Sequence, residues 1–133
     1  MLGQPPISPQ RHRQEAEKNK SLASELVDDH PAWSVIVAFY AALHFLDEYA
    51  AFYGIRFHNH RERDTWLQRR SEPVPLGHAY ECLYVRSRFA RYDCPPAAHH
   101  INNPGYVRRK VFAWLDDVQS CIEAEEAAHG FRL

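Results

Sequence analysis

The sequence predicts an all-α domain, an up-and-down four-helix bundle with an additional short helix at about residues 60–70. Three observations carry that expectation. Apolar residues recur at i, i+3/i+4 and i+7 along several long stretches. Helix signals bracket those stretches: Ser8-Pro9, His30-Pro31 and Asn103-Pro104 at the starts, Gly54 and Gly130 at the ends. No segment alternates apolar and polar residues with period two over a bounded run, and there is no internal repeat, so no sheet is required.

Residues 1–7, with Pro5 and Pro6, read as a flexible leader, and residues 8–130 as one helical domain. Ser8 caps a first helix from Gln10 to about Asp29. Ala16, Ala23, Leu26 and Val27 give it a narrow apolar stripe among many charges. A second helix runs from Ala32 to Tyr53 and ends at Gly54. Trp33, Ile36, Val37, Tyr40 and Leu43 mark one apolar face of it; Val35, Phe39, Ala42, Leu46, Tyr49 and Tyr53 mark another. A helix apolar on most sides belongs in the middle of a bundle. Asn59 with Glu62 three residues later resembles a capping box and opens the short helix, which Pro73 and Pro75 end. Leu76 to Tyr92 follows as a further helix. Cys94-Pro95-Pro96 forces an extended exit, and Ala97 to Asn103 reads as a loop. Asn103-Pro104 opens the last helix, with Val107, Val111, Trp114, Leu115, Val118, Cys121, Ile122 and Glu125 along one course.

The chain has 133 residues, 45% hydrophobic and 25% charged, enough for one core and too short for two. Its net charge of −1 demands neither a nucleic-acid nor a membrane partner from global balance. Cys82, Cys94 and Cys121 leave one thiol unpaired under any disulfide scheme, which fits a reducing, cytoplasmic compartment. No signal peptide is recognisable. The most apolar run, Val35 to Leu46, is too short to span a bilayer, so no membrane partner is expected.

Charge is unevenly placed. Arg86, Arg88, Arg91, Arg108, Arg109 and Lys110 form a basic centre, with Arg61, Arg63, Arg69 and Arg70 adding to it, while Asp116 to Glu126 carries only acids. Arginine forks match phosphate oxygens; the alternative is a solvated face whose arginines pair with carboxylates. Tyr84, Arg88 and Arg91 fall at i, i+4 and i+7, one helical face, next to Tyr92. Rings beside guanidinium groups suit base stacking and phosphate contact. Equally, Tyr84 and Tyr92 pack inward while the arginines reach out. Among the nine histidines, His44 stands out in an otherwise apolar helix, either as a proton donor or acceptor or as a hydrogen-bonded structural residue. His60 and Arg63, at i and i+3, can point the same way. His58-x-His60 and His99-His100 lack a Cys or carboxylate framework of recognised spacing, so neither a metal nor another cofactor is expected.

The run Trp33-Ser34-Val35-Ile36-Val37-Ala38-Phe39-Tyr40-Ala41-Ala42-Leu43-His44, His60 with Arg63, Tyr80-x-x-Leu83 and Ser87-Arg88-x-Ala90-Arg91-Tyr92 together resemble small prokaryotic HEPN-like helical proteins. The resemblance implies a small helical bundle, often a homodimer. It also implies either a metal-independent ribonuclease or a partner of a nucleotidyltransferase in defence or toxin–antitoxin systems. Catalytic members carry an arginine with a histidine one to two turns later near the start of the last helix. Here Val107-Arg108-Arg109 is followed by no such histidine, and Pro95-Pro96 separates Arg91 from His99. The expectation is therefore a non-catalytic module binding RNA, a nucleotide or a protein partner through its basic face, with Arg63, Tyr84, Arg88 and Tyr92 as ligand contacts. The alternatives are a metal-independent ribonuclease using His44, His60 and Arg91, and a purely structural dimerisation module. In the ribonuclease a histidine would move protons as the ribose 2′-hydroxyl attacks the neighbouring phosphate, and an arginine would stabilise the developing charge.

Overall fold

A computed structural model describes residues 8–70, 74–93 and 96–130. Every regular element among them is helical. The first is α1 (Pro9–Leu26), opened by Ser8, whose Oγ accepts the Arg11 N–H at 3.2 Å, with Pro9 preset for the first turn. Its buried residues, Ala16 and Ala23, are small, which lets it lie close on α2 (Pro31–Ala51). The two run antiparallel: the Ser34 hydroxyl donates to the Ala23 carbonyl at 2.7 Å near one end, and His12 meets His44 near the other.

Helix α2 is the centre of the molecule, packing on α1 and on the two later long helices. Val35, Ala38, Phe39, Ala41, Ala42, Phe45, Leu46, Tyr49 and Ala50 are all buried. Of the two expected apolar faces, the one marked by Trp33, Ile36, Val37, Tyr40 and Leu43 is only partly core. Ile36 is buried and Val37 and Leu43 half-buried, but Trp33 is 61% exposed and Tyr40 37%. Because α1 seats on Ser34, the neighbouring Trp33, 100° further round the helix, turns outward. Pro31–Phe52, with mean hydropathy 1.4, is long and apolar enough to cross a bilayer, longer than the run read from sequence. In the fold, 67% of its most apolar 18-residue stretch is buried against other parts of the molecule, as for a core helix. The helix stops earlier than Tyr53. Gly54 takes φ +73, its N–H donates to Ala51, and the Ile55 N–H donates to Ala50, the paired bonds of a Schellman cap.

Helix α3 (His60–Gln68) is capped by Asn59 Oδ1 on the Glu62 N–H at 2.9 Å. The reciprocal bond of the box is displaced by one residue, Glu62 Oε1 accepting from the His58 N–H. Helix α4 (Val74–Arg88) begins before the expected Leu76, with Pro75 in the first turn, where its missing N–H costs no helical bond; Pro73 lies outside the described residues. It then widens into a π turn, Phe89–Asp93. Cys94 and Pro95 of the expected extended exit also lie outside the described residues. The expected loop at 97–103 is instead wound into two short 3-10 turns within Pro96–Asn102 that meet at a kink at Ala98 (φ −97, ψ 16), with Ala98 and Ile101 both buried. The last helix, α5, spans 104–128: an opening turn Pro104–Tyr106 capped by Asn103 Oδ1 on the Tyr106 N–H, a π turn Val107–Val111, and Phe112–Ala128. Val107, Val111, Leu115, Val118 and Ile122 are its buried stripe; Trp114, Cys121 and Glu125 sit at the margin. Cys82 and Cys121 are free thiols.

At Gly54 an added Cβ would meet no atom within 4 Å, so Gly54→Ala probes backbone strain alone. It should cost roughly 1 kcal/mol, read as a lower urea midpoint with an unchanged m-value.

Candidate functional site

The polar residues that α2 carries into the bundle gather partners from its neighbours. His44 and Asp47 sit one turn apart on α2, in line with Tyr40. From α1, His12 brings its Nδ1 to 3.3 Å from Nδ1 of His44. From α3, Arg63 forms a two-pronged clasp on Asp47: Nε donates to Oδ1 at 2.8 Å and Nη2 to Oδ2 at 3.0 Å, with both side chains largely buried. These residues, with Leu43, Ile55, Arg56 and Phe57, line a pocket of about 230 Å³. Burial pushes His12 and His44 below the usual histidine value, and Asp47 offsets only part of that. Burial is the largest influence on Arg63 and would lower it, but the hydrogen bonds and charge of Asp47, with smaller contributions from Tyr80 and Glu62, together outweigh it and the guanidinium pKa is raised.

One turn earlier on α2, a second group assembles around Phe39 and Tyr40. His60, the first residue of α3, lies flat on Tyr84 of α4, centroids 3.7 Å apart with planes 15° from parallel, and Tyr80 lies beyond it at 6.0 Å. Arg88 donates to the Tyr84 hydroxyl at 3.3 Å, and its guanidinium stands 5.8 Å from the Tyr92 ring centre. Arg91, in the π turn, donates to the Ser87 carbonyl and to the Tyr40 hydroxyl. Its guanidinium is 5.0 Å from the Tyr92 ring centre and 5.8 Å from those of Tyr40 and Phe39. Tyr92 is 68% exposed. Burial lowers the His60 pKa; Asp64 opposes this, while Arg63, Arg91 and Arg88 add to it.

The residues expected from sequence thus divide into two neighbouring groups. His44 and Arg63 belong to the first; His60, Tyr84, Arg88, Arg91 and Tyr92 belong to the second. His44 pairs with His12 and not with His60 or Arg91, and His60 and Arg63, though adjacent on α3, turn to different partners. Tyr84, Arg88 and Arg91 do share a face. The basic centre, by contrast, is dispersed: Arg108 pairs with Asp28 at 2.6 Å, and Arg86 lies over Trp114 while donating to the Tyr106 hydroxyl. Sequence reasoning missed His12, which is 32 residues from its partner on a different helix. It also missed Asp47 and Tyr40, although their spacing with His44 along α2 was there to read. The histidine pairs at 58/60 and 99/100 do not meet: His60 is in the tyrosine stack, and His100 stands edge-on to Tyr106.

Comparison with protein-family models, with curated proteins and with solved structures finds no significant match to this chain.

His60 generates a pH prediction. Its folded pKa lies below the ordinary 6.5, so the unfolded chain takes up the proton first as pH falls. Stability should be unaffected by this group well above pH 6.5 and should decline as pH drops from there toward the depressed value. Thermal melts across that range should show a shallower decline for His60→Gln than for the parent; equal slopes would mean the ring protonates as readily folded as unfolded.

Proposed function

We propose that this chain is a HEPN-like helical module that binds single-stranded RNA or a nucleotide at the arginine–tyrosine group of α4 and does not cleave it. The observation that carries the reading is the setting of Arg91. Among the described residues its hydrogen-bond acceptors are a carbonyl and a hydroxyl, and its other neighbours are rings; no carboxylate pairs with it. Among the described residues its charge is therefore uncommitted, unlike that of Arg13, Arg63 and Arg108, each of which meets an acid. A phosphate oxygen gives a guanidinium in this setting the charge-assisted bonds it lacks. Tyr92 and Tyr40 offer ring faces for a base beside it. The π turn that holds Arg91 supports the same reading, since such turns recur at functional positions in helices.

Within this reading the finer architecture is an up-and-down four-helix bundle with α3 appended, supported by the antiparallel α1–α2 pair and the central position of α2. The HEPN resemblance extends it to a cytoplasmic homodimer, acting alone or with a nucleotidyltransferase partner in a defence or toxin–antitoxin setting. The ribonuclease reading rests on His60, whose pKa is lowered chiefly by burial and, to a smaller degree, by Arg63, Arg91 and Arg88. The family's arginine–histidine spacing is missing, and the His60 ring is taken up in stacking on Tyr84, which favours binding over cleavage.

The test uses a labelled single-stranded RNA in EDTA, followed by anisotropy and by denaturing gel. The expected result is intact RNA bound with an affinity that falls as salt rises. Arg91→Ala should weaken binding roughly tenfold, and Tyr92→Ala should cost about 1–3 kcal/mol. RNA cleaved by the parent and spared by His60→Ala would replace binding with catalysis. Absence of any salt-dependent retention would leave a structural module.

A further inference from the structure

We propose that His12, His44 and Asp47 form a binding site for a single divalent transition metal of the zinc class, separate from the arginine–tyrosine group. One ligand atom from each residue lies within 4.8 Å of the others. The two imidazole nitrogens facing each other, Nδ1 of His12 and Nδ1 of His44, are 3.3 Å apart. Two nitrogens bound to one zinc at tetrahedral angle are separated by about 3.3 Å, given Zn–N bonds of about 2.0–2.1 Å. The same spacing is long for an N–H···N hydrogen bond, whose typical N–H···O counterpart is about 2.9–3.0 Å. The spacing of the two nitrogens is thus that of a pair of ligands on one zinc.

The third ligand is prepared as well. Asp47 is held by the Arg63 fork, one donor to each oxygen. A carboxylate offers about four lone-pair positions, so each oxygen keeps one for a metal. Outer partners of this kind fix ligating carboxylates in metal sites generally. Two imidazoles and one carboxylate with a coordination position left over suit zinc or a neighbouring first-row ion better than calcium or magnesium, which take oxygen ligands. The remaining position opens on the pocket of about 230 Å³, which has room for water or a small ligand. Arg63 adds positive charge beside the site, which makes a three-ligand, exchangeable metal the fitting occupant and not a permanently locked one.

The full chain, stripped with chelator and dialysed, is titrated with Zn²⁺ against a chromophoric chelator and with Co²⁺ while the visible ligand-field bands are recorded. The expected result is one equivalent per chain, intense bands of a four- or five-coordinate Co²⁺ site, and a melting temperature that rises with Zn²⁺. His12→Ala, on the outer helix, should weaken Zn²⁺ at least tenfold and abolish the melting shift while its helical circular dichroism matches the parent. His44→Gln should do the same. His99→Ala, exposed on the 3-10 segment, should bind as the parent does. Multiple weak equivalents indifferent to His12→Ala, affinity lost in His99→Ala instead, or no binding at all would each overturn the site and leave His12 and His44 as a hydrogen-bonded pair.

Discussion

The constraint on which this structure turns is that α2 is buried along most of its length and yet carries groups that cannot be buried alone. An unpartnered buried polar group costs about 1–3 kcal/mol and an uncompensated charge more, so each one fixes a partner. Ser34 takes the Ala23 carbonyl of α1, His44 takes His12 of α1, and Asp47 takes Arg63 of α3. Glu48 takes Arg13, whose guanidinium also reaches Glu123 of α5 at 2.7 Å. Through these contacts one helix sets the register of α1, α3 and α5 around it. The apolar stripes supply the driving force; the polar pairs decide which way round the stripes are joined.

The chemistry follows from the same constraint. Successive turns of α2 present Tyr40, then His44, then Asp47 along one line, and α3 runs past that line with His60 facing one end and Arg63 the other. Phe39 forms the wall behind the arginine–tyrosine group, in contact range of His60, Tyr80, Tyr84 and Arg91. The outcome is two chemically different neighbours along one helix: an arginine–tyrosine surface, and a half-buried histidine pair beside a clasped aspartate.

What the sequence made legible was local. The caps at Ser8, Asn59 and Asn103, and the stop at Gly54, depend on residues within a turn of one another and stand where the spacing put them. Departures arise where tertiary contacts compete. The segment 97–103 is polar enough to read as loop, but with Ala98 and Ile101 buried it is wound into two short 3-10 turns that meet at a kink at Ala98. Trp33 has the right spacing for the core and is exposed because α1 selects the adjacent residue. Arg108 looks like part of a basic cluster until Asp28, 80 residues earlier, meets it. The candidate site was legible by half: the residues on α4 were recognisable because they share one face, whereas His12 could be paired with His44 only once α1 was laid against α2.

The direct measurement of this account is a double-mutant cycle on Asp47 and Arg63 using near-isosteric neutral replacements, Asp47→Asn and Arg63→Gln, with unfolding free energy as the readout. If satisfying the groups on α2 is what organises the fold, each single variant strands a charge and loses about 3 kcal/mol, and the double variant loses well under the sum. Losses that are small and strictly additive would show that the pair is incidental and that apolar packing alone sets the arrangement of helices around α2.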